Sequence, residues 1–204
     1  SKKKLIELYD GQKDIKDKII KTVGNAEDRF SEDYLRILRA VRLATELGFT
    51  IDVSVKQAIQ KNSKVLSEIS QERIRDEFIK IVMSDNPKTG VELANNLGIL
   101  KYIIPEIEKG IDVEQAGDHI YTVWEHNLRA LQHSANRGWP LHVRISALLH
   151  DVSKPETRRA ADNITGKKKW TFYGHDVVGG RVAKKIMERL KFSKKEIDVQ
   201  DSSS

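Results

Sequence analysis

The sequence lacks several features that mark common classes of protein. Cysteine is absent, which excludes disulfide bonds and thiolate zinc sites, so any metal must be held by histidines and carboxylates. No apolar run approaches the roughly 18 residues of a membrane-spanning helix, and the basic start has no apolar signal-peptide core. Only 4 prolines occur, and no low-complexity tract suggests a long disordered linker. These absences predict a globular, cytoplasmic protein with no membrane contact.

The charge of the chain is mildly basic. Among its 204 residues, 36 are Lys or Arg and 30 are Asp or Glu, a formal net charge of +6. This excess suits a polyanionic partner, although many basic proteins bind no nucleic acid. The length allows one or two domains with a substantial core.

The apolar pattern predicts a mainly α-helical protein with a short β remnant at its N-terminus. Residues 1–26 contain short β-branched runs that predict a strand, a turn and a second extended segment. Two strands are not stable alone, so we interpret them as the trailing edge of a domain whose bulk precedes Ser1. Residues 27–110 follow a helical period without strands and predict a bundle. Residues 111–204 predict a second helical module after a linker at 110–117, with an uncapped helical tail.

Residues 28–49 predict one long helix with a charged face. Ser31 would cap its start and Gly48 would end it. At about 100° per residue, Asp33 and Arg36 would lie on the same face. The ordinary explanation of such a face is solvated charge with i,i+3 ion pairs. The charged residues predicted to form this face are Glu32, Asp33, Arg36, Arg39 and Arg42.

The histidines suggest a metal site. His150 and Asp151 are adjacent at the end of an apolar run, where an imidazole and a carboxylate can converge on a cation. His126, about 24 residues earlier, and His175, about 25 later, could complete the ligands. A surface pair is the alternative. Such a site would polarise a phosphate and activate water for phosphoester hydrolysis, with Lys154 as a candidate phosphate contact.

Two further features have ordinary explanations. His119, His126 and His133 recur every seven residues, and this spacing alone means little. A basic loop at residues 167–169 is followed by Trp170, Phe172 and Tyr173. Such a loop could touch RNA, but solvated charge with aromatics docked on the core is the more common arrangement.

The spacing of these motifs resembles a known family. The residues LLHDVSKP at 148–155 and FYGH at 172–175 resemble the HD domain of metal-dependent phosphohydrolases, in the form fused to bacterial tRNA nucleotidyltransferases. This resemblance implies a divalent ion (Mg²⁺, Mn²⁺, Ni²⁺ or another) at His126, His150, Asp151 and His175. Ser153 replaces the usual glycine. The family's final aspartate has no convincing equivalent, since Asp198 and Asp201 lie in the tail.

The charged helix carries the second part of the resemblance. Glu32-Asp33-Tyr34-Leu35-Arg36 matches the EDxxR motif in the neck of class II CCA-adding enzymes and poly(A) polymerases. The family implies that Asp33 and Arg36, with Arg39 and Arg42 nearby, read the base of CTP or ATP. It also implies tRNA as partner. The residues implied to brace this neck are Glu32, Arg73 and Glu77.

The family's polymerase head has no match in the 204 residues. Its Gly-Ser motif and paired aspartates, which hold Mg²⁺, are missing from this sequence. The resemblance therefore implies a chain that reads nucleotides but does not add them by itself. Two alternatives remain, a standalone HD phosphohydrolase acting on 2′,3′-cyclic phosphates and a non-catalytic RNA-binding module.

Overall fold

Helices dominate the computed structural model, which describes residues 11–115, 120–161 and 169–201. Two 3₁₀ helices, Ser63–Glu68 and Leu100–Tyr102, connect some of them. The α-helices are α1 (Gly11–Lys16), α2 (Ala26–Glu32), α3 (Arg36–Leu47), α4 (Val53–Asn62), α5 (Gln71–Met83), α6 (Pro87–Asn96), α7 (Pro105–Glu108), α8 (Val123–Asn136), α9 (Leu141–Leu149), α10 (Lys154–Thr157), α11 (His175–Arg189) and α12 (Lys194–Asp201).

Four short strands complete the described elements. They are β1 (Ile19–Ile20), β2 (Thr50–Ile51), β3 (Arg159–Ala161) and β4 (Lys169–Thr171). The prediction of a mainly α-helical fold with a short β segment near its start is confirmed. No helix in the described part of the chain is long and apolar enough to cross a membrane.

The N-terminal prediction is only partly correct. The segment expected at residues 1–10 lies outside the described residues, and α1 is helical where an extended segment was expected. β1 pairs in parallel with β2, Ile19 opposite Thr50 and Ile20 opposite Ile51. The prediction that residues 27–110 contain no strand is therefore wrong. Two residues are too few for the periodicity that would reveal β2.

The long helix predicted at residues 28–49 is broken in the structure. Asn25 caps α2 by accepting from the backbone N–H groups of Glu27 and Asp28, so Ser31 is not the cap. Asp33 is extended (φ −157°, ψ 102°), and its carboxylate accepts from the N–H of Leu35 at 3.1 Å. An Asp side chain that bonds nearby backbone groups competes with helix continuation. Gly48 ends α3 in the left-handed conformation, as predicted. We call α2, Asp33–Leu35 and α3 the neck.

The second half of the chain contains two features that the pattern did not reveal. β3 and β4 pair as an antiparallel hairpin, with residues 162–168 between them outside the described part. The tail is capped. Ser193 and Glu196 form reciprocal hydrogen bonds at the start of α12, an arrangement that the Ser-x-x-Glu spacing encodes.

One continuous apolar core joins the two helical modules. Phe78 of α5 and Ile104 line the same small internal cavity as Leu148, Ile186 and Met187 of α9 and α11. The predicted linker is packed where it is described. Gly110 is buried, and its carbonyl accepts from the N–H of Trp124 at 3.0 Å.

A buried arginine strengthens this junction. Arg144 of α9 is 5% exposed. Its Nη1 donates to the carbonyls of Val82 at 3.0 Å and Ser84 at 2.8 Å, at the C-terminal end of α5. Its Nε donates to the carbonyl of Trp139 at 2.9 Å. The guanidinium thus satisfies carbonyls that a helix end leaves without an internal partner.

We expect Gly90→Ala to destabilise the protein by about 2 kcal/mol, because the helices around α6 leave no room for a methyl group. An added Cβ would lie 2.6 Å from Cγ2 of Ile81 and 2.7 Å from Oγ1 of Thr45. Urea denaturation gives the free energy of unfolding. Gly180→Ala is the matched control, since open space surrounds this glycine within α11. It should gain roughly 0.5–1 kcal/mol. Equal effects of the two substitutions would contradict the packing argument.

Candidate functional site

Three helices bring the predicted metal ligands together. His126 lies in the second turn of α8, whose start is fixed by a capping box between Thr122 and Glu125. His150 and Asp151 directly follow α9, and His175 is the first residue of α11. We call His126, His150, Asp151 and His175 the His–Asp cluster.

Asp151 is the centre of the cluster and is only 3% exposed. Its Oδ2 lies 3.5 Å from Nε2 of His126 and 3.3 Å from Nε2 of His150. Its Oδ1 lies 3.7 Å from Nε2 of His175. One ligand atom each from His126, His150 and Asp151 lies within 4.8 Å of the others, a spacing suited to one metal ion.

Backbone carbonyls orient two of the imidazoles. Nδ1 of His150 is 2.9 Å from the carbonyl of Ala147, and Nδ1 of His175 is 2.7 Å from that of Phe172. Since a carbonyl only accepts, each Nδ1 carries a proton, and each Nε2 is the ring atom that faces Asp151. This is the usual way in which proteins orient histidine ligands. No sequence signal reveals these two hydrogen bonds.

The cluster shifts the pKa of its members in opposite directions. Burial opposes ionisation of Asp151, but hydrogen bonds from His150 and Lys154 outweigh it and hold the pKa of this carboxyl far below its usual value. Partial desolvation opposes charging of His150, yet the hydrogen bond to Asp151 and the attraction of its charge raise the pKa of His150. Asp151 is thus a permanent anion at neutral pH.

Two residues of the HDVSKP turn support the cluster. Nζ of Lys154 lies 2.7 Å from Oδ2 of Asp151 and donates to Oε1 of Gln115 at 2.9 Å. Ser153 is fully buried, and its hydroxyl donates to the carbonyl of His175. The serine therefore ties this turn to the start of α11.

The donors of the His–Asp cluster fit the divalent metal that the family resemblance implies. Imidazole nitrogens and a carboxylate suit Mn²⁺, Fe²⁺, Ni²⁺ and Zn²⁺, and carboxylate oxygen also suits Mg²⁺. Three imidazole rings converge on one buried carboxylate, an arrangement typical of a metal site. An ion would share the Asp151 carboxylate with the ammonium of Lys154.

Not every histidine joins the cluster. His133 lies one heptad beyond His126 and instead contacts Trp139, with 5.8 Å between ring centroids. His119, the first residue of that heptad, lies outside the described residues. Asp198 is exposed on α12 and does not belong to the cluster.

The neck carries a second group of charged side chains. Because the helix breaks at Asp33, Asp33 and Arg36 are not on one helical face, contrary to the prediction. Nη2 of Arg73, from α5, holds the Asp33 carboxylate at 3.0 Å, and Arg39 lies 3.6 Å away. Slight desolvation of Asp33 is outweighed by the Leu35 N–H and the charge of Arg73, which lower its pKa.

The remaining neck residues pair as follows. Nη1 of Arg36 lies 2.6 Å from Oε2 of Glu32. Glu77 of α5 is buried, and its Oε2 lies 2.7 Å from Nε of Arg42. α5 therefore contacts the neck through Arg73 at the break and through Glu77 one and a half turns into α3. The family resemblance implied that both residues brace the neck, but it did not identify their partners.

Comparison with known proteins assigns this architecture to a class. The family model described as "Probable RNA and SrmB- binding site of polymerase A" matches residues 48–111, and the HD domain model matches residues 117–202. A helical neck and body are thus joined to an HD domain that carries the His–Asp cluster. The chain belongs to the tRNA nucleotidyltransferase and poly(A) polymerase family.

Curated relatives support this membership. The chain is 34% identical over 196 residues to the A-adding tRNA nucleotidyltransferase of Deinococcus radiodurans, which covers 93% of this chain and 44% of the relative. It is 31% identical over 182 residues to the CC-adding tRNA nucleotidyltransferase of Thermus thermophilus, covering 84% and 41% respectively. The chain thus spans less than half the length of these relatives.

A solved structure has the same fold. A CCA-adding enzyme in an apo form aligns with a TM-score of 0.58 and 18% identity, covering 97% of this chain and 41% of that one. The likeness extends across both helical modules.

Proposed function

We propose that this chain works within a cytoplasmic tRNA nucleotidyltransferase that adds nucleotides of the CCA sequence to the 3′ end of tRNA. Its neck reads the base of CTP or ATP, and Mg²⁺ serves the transfer. The observation that carries this proposal is the break at Asp33, where an acceptor carboxylate lies 3.6 Å from Nη1 of Arg39 and Arg36 begins α3 on the neck surface. The side chains of Arg36 and Arg39 are 40% and 46% exposed.

The chemistry of these groups suits two of the four bases. Cytosine and adenine each present an amino donor beside a ring-nitrogen acceptor. A carboxylate accepts from the former, and a guanidinium donates to the latter. Uracil and guanine present the opposite pattern. Arg36 can exchange Glu32 for a base at small cost, because an exposed ion pair contributes only about 0–1 kcal/mol.

We expect Arg36→Ala to weaken binding of CTP and ATP by about 10-fold, because a guanidinium that contacts a base edge contributes roughly 1–3 kcal/mol. Isothermal titration calorimetry in Mg²⁺ measures the dissociation constants of CTP, ATP, GTP and UTP. Arg29→Ala is the matched control, since Arg29 also pairs with Glu32 at 2.6 Å but is not in the proposed reading group. It should retain binding within about twofold. Equal affinity of the unsubstituted chain for CTP, ATP, GTP and UTP would contradict base reading.

A second activity is favoured by the His–Asp cluster. We propose that it hydrolyses a phosphoester with a divalent ion such as Mg²⁺, Mn²⁺ or Ni²⁺, held by His126, His150, Asp151 and His175. When bound, such an ion polarises the phosphate and lowers the pKa of water. The supporting observation is the orientation of the His150 and His175 rings by backbone carbonyls, which directs both Nε2 atoms toward Asp151.

The residues of the chain bind and orient the substrate in this reaction. Lys154 supplies a cation beside the cluster for a phosphate oxygen. The water oxygen forms a bond to phosphorus, the bond between phosphorus and a ribose oxygen breaks, and a proton from the water ends on that ribose oxygen. The product of a 2′,3′-cyclic phosphate is therefore a nucleoside monophosphate.

The test is incubation of the purified chain with a nucleoside 2′,3′-cyclic phosphate and each of Mg²⁺, Mn²⁺ and Ni²⁺. Monophosphate should form with at least one ion, and its formation should stop when EDTA is added. Absence of product with all three ions would overturn the hydrolytic proposal and leave the nucleotide-reading proposal unaffected.

A further inference from the structure

A cavity opens directly beside the His–Asp cluster. Its volume is about 670 Å³, within the range of about 300–1,000 Å³ that is typical of small-molecule sites. It lies between the HDVSKP turn, the second strand of the β3–β4 hairpin and the start of α11. The lining side chains that matter here are Lys154, Trp170, Phe172, Tyr173, His175 and Asp176.

One end of this cavity reaches the cluster itself. His175 lines the cavity, and its Nε2 lies 3.7 Å from Oδ1 of Asp151. Lys154 also lines it, with Nζ 2.7 Å from Oδ2 of Asp151. A phosphate bound at the cluster and at Lys154 would therefore have the rest of its molecule in the cavity.

The cavity wall includes three aromatic side chains, and one ring is unusually exposed. Tyr173 is 85% exposed, although a tyrosine side chain normally buries much of its ring. Trp170 differs, because the Arg158 guanidinium stacks 3.6 Å from its ring centroid and covers it. Phe172 is half-buried, with Nζ of Lys154 at 5.7 Å from its centroid. Tyr173 is thus the ring of this wall that is open to a ligand.

A polar side chain shares this cavity with Tyr173. Asp176, in the first turn of α11, is exposed and lines the same cavity. Its carboxylate can accept from a ribose hydroxyl or a base amino group. The cavity lining thus combines a histidine of the metal site, a cation, an acceptor and an aromatic face. These are the kinds of group that can contact the phosphate, the ribose and the base of a nucleotide.

We propose that Tyr173 is the stacking platform of a nucleobase subsite, which makes the cluster select nucleoside phosphoesters over phosphoesters without a base. The inference rests on the proposed hydrolytic function and names a specificity residue for it. Stacking of a base on an aromatic side chain contributes about 1–3 kcal/mol and tolerates any base. The subsite therefore distinguishes nucleotides from other phosphoesters rather than one base from another.

The test compares adenosine 2′,3′-cyclic phosphate with 1-O-methylribose 2′,3′-cyclic phosphate, which lacks the base. With Mn²⁺ or Ni²⁺, the unsubstituted chain should show a KM about 10-fold lower for the adenosine compound. Tyr173→Ala should remove most of this ratio, and Tyr173→Phe should preserve it, because phenylalanine keeps the ring. Val177→Ala is the matched control. It truncates another exposed apolar side chain of the same region, 59% exposed, that does not line the cavity, and it should keep the ratio.

A binding measurement keeps the subsite testable without turnover. Calorimetry with adenosine 2′-monophosphate and with ribose 2-phosphate measures the same preference on the metal-loaded chain. If no hydrolysis occurs but the adenosine compound binds about 10-fold more tightly and Tyr173→Ala removes that difference, the hydrolytic function fails and the subsite stands. If the two ligands bind equally, or if Tyr173→Ala leaves their ratio unchanged, the subsite is overturned.

Discussion

His150→Ala should lower the hydrolysis of a nucleoside 2′,3′-cyclic phosphate by at least about 100-fold, because it removes one proposed ligand of the metal. Loss of a group that merely orients a ligand already lowers metal affinity or activity by about 10- to 100-fold. The substitution also removes the ring that is hydrogen-bonded to Ala147 and lies 3.3 Å from Asp151. Product formation at saturating Mn²⁺ and calorimetric titration with Mn²⁺ measure the two effects.

His133→Ala is the control for this substitution. His133 is an exposed histidine on α8, seven residues from His126, and contacts Trp139 instead of the cluster. It should keep hydrolysis and Mn²⁺ affinity within about twofold, as expected for a surface change. Equal loss in both variants, or full activity in His150→Ala, would refute the assignment of the metal site.

Arg144→Ala should destabilise the protein by about 3–5 kcal/mol, as expected when two buried carbonyls and one partly buried carbonyl lose a charged donor. The carbonyls of Val82 and Ser84 would each lose a donor in the interior, and that of Trp139 would lose one at a partly buried position. A buried acceptor left without a partner costs about 1–3 kcal/mol. Urea denaturation followed by circular dichroism gives the free energy of unfolding.

Two further variants separate the hydrogen bonds from the charge. Arg144→Lys keeps the charge but has a single ammonium in place of the planar fork, so its stability should fall between those of the parent and the alanine variant. Arg181→Ala removes an exposed arginine of α11 and should change stability by less than about 0.5 kcal/mol. An Arg144→Ala variant as stable as Arg181→Ala would contradict the role of the buried guanidinium.

Features with a local or periodic signal could be predicted from the sequence. The helices at residues 53–62 and 141–149 fall within the two stretches predicted to be helical, because their apolar residues recur at helical spacing. The convergence of His126, His150 and Asp151 was also predicted, from motif spacing and family resemblance. These signals need no knowledge of distant residues.

The break in the neck depends on a distant partner. The carboxylate of Asp33 accepts from the N–H of Leu35 and pairs with Arg73, 40 residues later. A helical periodicity count does not include such a pairing, so residues 28–49 resembled one helix. In the structure Asp33 and Arg36 do not share a helical face, although the Asp33 carboxylate still lies near Arg39.

The junction between the two modules could not be predicted from the sequence, because it also depends on residues far apart in the chain. Arg144 interrupts an otherwise apolar helix and resembles an ordinary surface charge in the sequence. Its burial depends on the carbonyls at the end of α5, more than 55 residues earlier along the chain. The exposure of Tyr173 beside the cluster is likewise a property of tertiary structure.

The continuous apolar core makes one folding unit of the two segments that the family models match separately. Two family models divide the chain between residues 111 and 117, yet Phe78 and Ile104 from one side share an internal cavity with Leu148 and Ile186 from the other. Pulling the halves apart would expose these side chains to water, at about 25 cal/mol per Å² of apolar surface. The two modules should therefore unfold together in a single cooperative transition.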